Sequence, residues 1–410
     1  MRSNLFLATA ILLLSISACS VPPSEGPKDP AALFAQELDE QSQRAISYLS
    51  QLPLDSTSIP RSGRKDGSLH GTGSRSWTSG FYPGVLWLLH EYSGDERLGE
   101  AATQWTSYVE KEKLDTHTHD LGFKVYCSFG QGYRLTQEEA YREIILKTSE
   151  TLIQRFNPTV GCIRSWDFNQ EIWQFPVIID NMMNLEMLFA ATRLSGDSTY
   201  YDIAYQHALT TLQNHMRPDH SSYHVIDYDT LTGEVRNRHT HQGHGHESAW
   251  ARGQAWSLYG YAMAYRETGD QRFLDHAKAV ADYMYEHPNM PAQGVPYWDF
   301  DAPNIPHEPL DASAAAVAAS GLMILCEVDP ASVALQLPRV DRTLEALSHP
   351  DFAARTVPFL LDHSVGSIPG DSEVDVPIIY ADYYFVEALM RRVAMDESSN
   401  PDAVAVSSSK

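Results

Sequence analysis

The chain has 410 residues, 43% of them hydrophobic and 20% charged, which is enough for a large buried core. Acidic residues outnumber basic ones by 53 to 30 and give a net charge of −23. So acidic a chain is poorly suited to bind nucleic acid or an anionic membrane surface, and an anionic substrate would need a locally basic pocket. Its four cysteines do not indicate a disulfide scaffold or a cysteine-based metal site.

The N-terminal residues 1–18, MRSNLFLATAILLLSISA, predict an export signal, because Arg2 precedes an apolar stretch too short for a stable membrane anchor. Cys19 follows directly, and the run ISAC resembles a bacterial lipobox, in which the cysteine receives the lipid after cleavage. The polar residues that follow make 19–30 typical of a lipidated tether. We therefore expect a membrane-anchored lipoprotein in the periplasm or at the cell surface; an ordinary secreted chain is the alternative.

Residues 31–395 predict one domain built from helical hairpins. An apolar helix that ends in Gly-Asp, with a second helix after it, recurs in 86–105, 188–212 and 261–284. Glycine suits the left-handed residue that ends a helix, and aspartate can cap the helix that follows. Because the repeats are variably spaced, they favour a closed toroid over a solenoid. Inner helices would line a central funnel, with the polar loops at one end.

Three further stretches predict helices by composition and periodicity: 136–155, 311–328 and 379–394. No internal segment rich in Pro, Gly or Ser divides the domain, and we expect a monomer. The last residues, 396–410, predict a polar tail.

Three loops between the predicted hairpins are rich in aromatic, histidine and carboxylate residues: RSWTSGFYPG (75–84), HTHDLGFKVYCSFGQGY (117–133) and THQGHGHESAWARGQAW (240–256). Tryptophan and tyrosine offer flat apolar faces with polar edges, which is typical of a sugar site. The third loop and the residue before it hold four histidines, His239, His241, His244 and His246. Neither an HExxH-like helix nor a CxxC partner accompanies them, so we predict hydrogen-bonding histidines and no metal.

Asp180 lies in the apolar run VIIDNMMNL, where an isolated charge would be costly to bury. A helix N-cap is one interpretation of Asp180, and a turn aspartate is one interpretation of Asp120. Both aspartates lead into predicted inner helices, so in a toroid their side chains can meet in the funnel. Two carboxylates in one poorly solvated site acquire different pKa values, which is the acid–base chemistry that sugars require.

Five stretches together resemble the unsaturated glucuronyl hydrolases of glycoside hydrolase family 88: WTSGFYPGVLWL, HDLGF, VIIDNMMNL, HQGHGHESAWARGQAW and SEVDVPIIYADYYFVEAL. They occur in this order from Trp77 to Leu389 and so span most of the domain. The resemblance implies an all-α fold, the (α/α)6 toroid of six helical hairpins, and an enzyme without a cofactor. Such enzymes remove a 4,5-unsaturated uronic acid from the non-reducing end of fragments left by polysaccharide lyases.

The resemblance also implies how the reaction proceeds. Protonation at C4 of the enol ether places oxocarbenium character at C5, water adds there, and the resulting hemiketal opens to release the next sugar. Asp180 matches the residue that protonates C4 and activates the water. Asp120 matches a second essential aspartate, which we assign to orienting the sugar hydroxyls and tuning Asp180.

Four more residues match substrate-contacting positions of the family: His224, Gln242, Arg252 and Trp256. The planar fork of Arg252 suits the uronate carboxylate, and Trp256 is expected to stack on the sugar ring. Trp77 would extend this aromatic platform, with structural packing as the alternative. After HQG this chain has His244-Gly245-His246 in place of the expected aromatic or acidic pair, and this departure could alter which sugar or sulfate occupies the next subsite. The segment 366–377 is the other candidate specificity loop; it contains no lysine or arginine, which argues against a strong sulfate clamp there.

Two other functions fit parts of the pattern. One is an unsaturated rhamnogalacturonyl hydrolase, a related family that shares WARGQAW-like segments but matches HDLGF and SEVDVP less well. The other is a lipid-anchored protein that captures oligosaccharides without turning them over. A capture protein would tolerate Asp180→Asn, because an amide can bind a sugar but cannot transfer the proton.

Overall fold

The computed structural model describes residues 30–399. The predicted export signal, Cys19 with the tether up to residue 29, and residues 400–410 of the predicted tail lie outside the described residues. Among residues 30–399 we find no helix long and apolar enough to cross a membrane. The three cysteines in this range are buried and form no disulfide with one another.

The described residues form twelve α-helices. A short 3-10 helix, Pro330–Ser332, continues directly into the eleventh of them, and a π-helix and a longer 3-10 helix continue directly into two others. The α-helices are α1 Pro30–Leu49, α2 Phe81–Ser93, α3 Glu96–Ser107, α4 Gln131–Thr136, α5 Glu139–Ile153, α6 Leu185–Ser195, α7 Ser198–Asn214, α8 Ala251–Thr268, α9 Gln271–Glu286, α10 Ala312–Val328, α11 Val333–Leu347 and α12 Ile379–Ser399. The π-helix Gly122–Gly130 runs into α4, and the 3-10 helix Ile179–Asn184 runs into α6. We call these two the composite helices 122–136 and 179–195.

The helices form two concentric rings. The inner ring runs in order through α2, composite helix 122–136, composite helix 179–195, α8, α10 and α12, and α12 closes it by packing against α2. The outer helix of each pair is, in the same order, α3, α5, α7, α9, α11 and α1. This is the predicted all-α toroid of six helical hairpins.

The three Gly-Asp turns form as predicted. At each turn the glycine is left-handed, with φ between 67° and 77°, and closes the inner helix. The aspartate side chain then accepts a hydrogen bond from the backbone N–H two residues further on and caps the outer helix. The pairs are Gly94–Asp95, Gly196–Asp197 and Gly269–Asp270.

Parts of the fold differ from the sequence prediction. The sixth hairpin joins the two ends of the described chain, because α1 packs outside α12. The last helix continues to Ser399 and so includes the start of the predicted tail. The second predicted loop, 117–133, is a loop only at its beginning, since Gly122–Gly130 is a π-helix.

Nine short strands brace the ends of the loops: β1 Ile59–Gly63, β2 Leu69–Thr72, β3 Phe156–Asn157, β4 Cys162–Ile163, β5 Pro176–Ile178, β6 Val225–Tyr228, β7 Val235–His239, β8 Ser364–Ser367 and β9 Ser372–Val376. They form three antiparallel pairs, β1–β2, β3–β4 and β8–β9, and one three-stranded antiparallel sheet in the order β5–β6–β7. β5 leads directly into composite helix 179–195, so the sheet fixes where that helix begins.

The direction of the chain decides where the functional residues gather. Each of the first five inner helices is followed by a turn and an outer helix that returns, while the outer partner of α12 is α1, at the start of the described chain. All six inner helices therefore run the same way. Their N-terminal ends therefore lie at one mouth of the ring, together with the loops that precede them. Helix N-termini carry partial positive charge, so this mouth is locally favourable to an anion although the whole chain is acidic.

Candidate active site

The predicted site residues lie at this mouth, close to the start of inner helices. Trp77 precedes α2, Asp120 precedes composite helix 122–136, and Asp180 is the second residue of composite helix 179–195. Arg252 and Trp256 lie in the first two turns of α8. His224 lies just before β6, and Gln242 lies between β7 and α8.

The Asp180 carboxyl group is buried, with only 7% of the residue exposed. Its Oδ2 has no hydrogen-bond partner among the described residues, and the nearest ring nitrogen, Nε2 of His224, is 3.7 Å away. Burial raises the pKa of Asp180 from 3.8 to about 6, although His119 and Arg252 act to lower it. A carboxyl group of this kind can hold a proton near neutral pH and give it up.

The N-cap interpretation of Asp180 is wrong. Ile178 occupies the cap position of the 3-10 helix, and Asn184 that of α6; neither uses a side chain as a cap. Asp180 occupies neither of these cap positions, so its burial needs another reason.

Asp120 lies in a more polar environment. The Thr118 hydroxyl donates to its Oδ2 at 2.6 Å, and Nε2 of His119 lies 3.1 Å from its Oδ1. Burial is the largest single influence and acts to raise the pKa of Asp120, but His119, Thr118 and the charge of Lys124 together outweigh it, and the pKa is lowered. The predicted separation of the two pKa values is present, although burial, with Asp120 contributing less, is the main cause of the rise at Asp180.

The hydrogen bonds of His224 define which of its nitrogens carries the proton. Nδ1 accepts from the backbone N–H groups of His241 at 3.1 Å and Gln242 at 3.2 Å. Burial also lowers the pKa of His224 well below its usual value, so the ring is neutral. We therefore assign the proton to Nε2, which faces Asp180. Gln242 also donates from its side chain to the Gly366 carbonyl at 3.1 Å, which ties the loop to β8.

Arg252 is almost completely buried, and both terminal nitrogens of its guanidinium already form hydrogen bonds within the protein. Nη1 pairs with Asp311 at 3.1 Å and also donates to the Val365 carbonyl, while Nη2 donates to the Gly366 carbonyl at 2.7 Å. Nε has no partner among the described residues. A substrate carboxylate could therefore meet only the Nε edge of the guanidinium, not the end that holds Nη1 and Nη2.

The expected stacking of Trp256 on a sugar needs correction. Trp256 is 0% exposed, and its ring packs against Phe123 at 5.3 Å and Tyr384 at 5.5 Å between centroids. No face of the indole is open to a ligand, so Trp256 supports the floor of the funnel. Trp77 is partly exposed and packs against Tyr380 at 4.9 Å between ring centroids. Its packing role is therefore present, and its role as a sugar platform stays a prediction.

Sequence reasoning missed an aromatic wall beside Asp180 and His224. The Trp166 ring stacks on Phe168 at 4.7 Å and lies 5.5 Å from His241 and 6.3 Å from His224. Phe168 is 46% exposed, so this wall reaches the rim of the mouth. The available signal was the density of aromatic residues in SWDFNQEIWQF (165–175), which falls between two short strands.

The four loop histidines do not come together as metal ligands. In the part of the chain that the structure describes, no three His, Cys, Asp or Glu side chains are grouped to hold a metal ion. His239 accepts a hydrogen bond from the Trp173 indole at 3.0 Å, and its ring stacks on His246 at 4.5 Å. Nδ1 of His246 accepts from the Thr240 backbone at 3.1 Å. The hydrogen-bonding role predicted for these two histidines is confirmed.

Several buried polar atoms without partners belong to residues at this mouth. Within residues 30–399 they include Asp180 Oδ2, His224 Nε2, Arg252 Nε, Trp256 Nε1 and the Tyr380 hydroxyl. Buried polar atoms in folded proteins are nearly always hydrogen-bonded, so a cluster of such atoms is typical of a site for a polar ligand. A carboxylate-bearing sugar would offer acceptors for the donors among them at His224, Arg252 and Tyr380, and hydroxyl groups for the Asp180 oxygen.

Comparison with known proteins agrees with this fold. Residues 61–267 match the model of Glycosyl Hydrolase Family 88. A relative named unsaturated glucuronyl hydrolase, from Formosa agariphila, is 43% identical over 400 residues, which cover 96% of this chain and 98% of the relative. A relative of the same name from Bacillus sp. is 33% identical and covers 77% of this chain and 85% of its own length.

Solved structures of related proteins have a similar three-dimensional fold. An unsaturated glucuronyl hydrolase described as specific for heparin matches with a TM-score of 0.85 and 42% identity, over 89% of this chain and 98% of the other. One from Streptococcus agalactiae matches with a TM-score of 0.79 and 28% identity, over 90% and 96%. Fold, site and relatives together define the protein as a glycoside hydrolase. The chain belongs to Glycosyl Hydrolase Family 88.

Proposed function

We propose that the protein removes a 4,5-unsaturated uronic acid from the non-reducing end of lyase-generated oligosaccharides by hydrating the C4=C5 bond. The observation that carries the proposal is the Asp180 carboxyl group, which is buried, unpartnered at Oδ2 and raised in pKa to about 6. At neutral pH a useful fraction of this group holds a proton, and the ionised form can accept one. A single residue can therefore serve as acid and then as base.

The reaction proceeds in two proton transfers at Asp180. The protonated carboxyl group gives its proton to C4, the C4=C5 bond becomes a single bond, and positive charge develops at C5 and the ring oxygen. The Asp180 carboxylate then takes a proton from a water molecule as the water oxygen bonds to C5. The resulting hemiketal opens by breaking the bond between C5 and the ring oxygen, and the neighbouring sugar leaves from C1. The net change is addition of one water molecule.

The surrounding residues hold the sugar in place. Asp120 stays ionised because its pKa is lowered, so it accepts hydrogen bonds from sugar hydroxyls. The Nε2–H of His224 donates toward the same space as Asp180. The Nε edge of Arg252 meets the uronate carboxylate, and its charge favours binding of an anion. Trp77 contributes its exposed face as a platform.

The substrates of relatives suggest which oligosaccharides to try first. The solved protein with a TM-score of 0.85 is described as specific for heparin. A Streptococcus agalactiae variant, 26% identical, is complexed with dGlcA-GalNAc6S, and a relative from Streptococcus pyogenes is named unsaturated chondroitin disaccharide hydrolase. We infer that unsaturated disaccharides are the substrate class, with those from heparin as the first member of the panel.

We also propose that the mature protein is a monomeric lipoprotein, anchored through Cys19 in the periplasm or at the cell surface. The support is the sequence of residues 1–30, with its short apolar stretch and the ISAC run before the tether. Palmitate labelling of cells that express the wild-type chain or Cys19→Ser tests this. Label and membrane fractionation in the wild type but not in the variant would support the anchor; equal solubility of both would refute it.

The activity is tested by following the ultraviolet absorbance of the C4=C5 bond. Purified protein without residues 1–19 is mixed with unsaturated disaccharides from heparin, chondroitin, ulvan and pectin. Loss of absorbance with the wild type and not with Asp180→Asn is the expected result. Activity on unsaturated rhamnogalacturonan fragments alone would favour the related family, and binding without any loss would favour a capture protein.

A further inference from the structure

Asp311 makes more contacts than a helix cap requires. It precedes α10, and its Oδ1 accepts hydrogen bonds from the Ser313 backbone N–H at 3.0 Å and from the Ser313 hydroxyl at 2.6 Å. These two bonds are typical of an aspartate cap. The same oxygen also accepts from the Val365 backbone N–H at 3.2 Å, so Asp311 joins β8 to α10.

The second oxygen of Asp311 reaches into the funnel. Oδ2 lies 3.1 Å from Nη1 of Arg252, and both side chains are almost completely buried. Arg252 also contacts β8, because it donates to the carbonyl groups of Val365 and Gly366. Asp311, Arg252 and the start of β8 therefore close a loop of hydrogen bonds, which we call the Asp311–Arg252 network.

The other aspartates that cap helices with their side chains lack such a contact. Asp95 and Asp270 cap outer helices, and each pairs with the exposed arginine two residues further on. Asp197 caps α7 through the Thr199 N–H, and the Thr199 side chain is also hydrogen-bonded to it. Only at Asp311, within residues 30–399, does a capping carboxylate also pair with an arginine of an inner helix.

The network leaves Arg252 with one free edge. Nη1 and Nη2 are held by Asp311 and the two carbonyl groups, while Nε has no partner among the described residues. Asp180 and Glu373 also interact electrostatically with Arg252. An Arg252 released from Asp311 would be a buried cation in need of an acceptor, and other carboxylates are near enough to attract it.

We propose that Asp311 is a positioning residue, which holds the Nη atoms of Arg252 so that the Nε edge remains available to the carboxylate of the substrate. This inference rests on the proposed function, since it needs an anionic sugar at Arg252. Asp311 touches neither the sugar nor the reacting atoms. It acts through Arg252, so its loss should weaken substrate binding more than it slows the chemical step.

The test separates positioning from capping. Asp311→Ser keeps a good helix cap but removes the ion pair, because serine and aspartate cap helices comparably. Asp270→Ser is the matched control, since it makes the same change at the cap of α9 on the outer ring. With an unsaturated disaccharide we expect Asp311→Ser to raise KM roughly tenfold or more, with a smaller change in kcat, because a charge-assisted contact is lost. Asp270→Ser should keep the wild-type KM.

A second pair of variants keeps the test decisive if Asp311→Ser fails to fold because it leaves the buried Arg252 unpaired. Arg252→Met and the double variant Arg252→Met with Asp311→Ser both lack the guanidinium, so the double variant should show the KM of Arg252→Met. A wild-type KM for Asp311→Ser, or a further rise in the double variant, would overturn the inference. Turnover by the wild type in the same assay tests the proposed function separately; its absence would refute both.

Discussion

Replacing Asp180 by asparagine should abolish turnover and, at the same time, make the folded protein more stable. The reason is that the wild-type carboxyl group is buried without a hydrogen bond at Oδ2, so its ionised form is costly in the folded state. A pKa raised from 3.8 to about 6 corresponds to a cost of up to about 3 kcal/mol at pH values above both. Asparagine has nearly the same shape and no charge, so it removes this cost.

The effect depends on pH in a defined direction. Well below pH 3.8 the Asp180 carboxyl group is protonated in both folded and unfolded chains, and it costs nothing. As the pH rises from 3.8 to about 6 the unfolded chain ionises first, so the folded wild type loses stability over this window. The difference between Asp180→Asn and the wild type should therefore be near zero at the acidic end and reach its full size above pH 6.

Thermal unfolding followed by calorimetry or circular dichroism measures this difference. At about 2.1 cal/mol/K per residue, the unfolding entropy of a domain of this size is roughly 0.8 kcal/mol/K, so Tm should rise by up to about 4 °C at pH 7. Turnover should fall by at least roughly a hundredfold, the usual contribution of a general acid. A lower Tm for Asp180→Asn, or a difference that does not change with pH, would refute the reasoning.

Asp382 provides a matched control for this measurement. It is also buried, and burial raises its pKa to about 7. Its two oxygens, however, accept hydrogen bonds from the backbone N–H groups of Leu361 at 2.9 Å and Leu360 at 3.1 Å. Asparagine accepts hydrogen bonds at its oxygen but not at its NH₂ group. In Asp382→Asn one of the two backbone N–H groups therefore faces the amide NH₂ and loses its acceptor, which should lower Tm. Opposite shifts for the two variants would show that the missing partner at Asp180 matters, not burial alone.

Three further outcomes follow from the site. The value of kcat/KM should fall as the pH rises through about 6, because the free enzyme then loses the Asp180 proton; a pH–rate profile checks this, and a flat profile from pH 5 to 8 would contradict it. Trp256→Ala should lower the free energy of unfolding by roughly 3–5 kcal/mol, because a fully buried ring is lost; denaturant unfolding measures this, and an unchanged denaturation midpoint would contradict the burial of Trp256. Trp166→Ala should raise KM with little loss of Tm because the ring lies partly exposed beside His224, and a KM equal to the wild type would exclude the wall from binding.

The parts of the fold that follow from neighbouring residues could be predicted. Each Gly-Asp turn is specified within two residues, since a glycine accepts the left-handed conformation and an aspartate caps the next helix. The burial of Asp180 was readable in the same way, because apolar residues surround it in the sequence. Local signals of this kind do not depend on how the ring closes.

Other features depend on residues far apart in the chain. The sixth hairpin pairs α1 with α12, and no local pattern links the two ends of a domain. Arg252 pairs with Asp311, which lies 59 residues further along the chain. An arginine at position 252 suggested a carboxylate partner, but the sequence did not show which carboxylate it would be. Tryptophan is a residue type typical of sugar platforms, so the sequence suggested that role for Trp256. Its burial became visible only in the structure, where Phe123 and Tyr384 pack against the ring.

Hydration at C5 and direct attack at C1 differ in one observable. We would mix the protein with an unsaturated disaccharide and record, in the same reaction, the ultraviolet absorbance of the C4=C5 bond and the release of the second sugar. Hydration by Asp180 predicts that absorbance is lost and sugar is released in equal amounts, and that Asp180→Asn does neither. Release of the second sugar with the absorbance retained would place the attack at C1 and contradict the role of Asp180 proposed above.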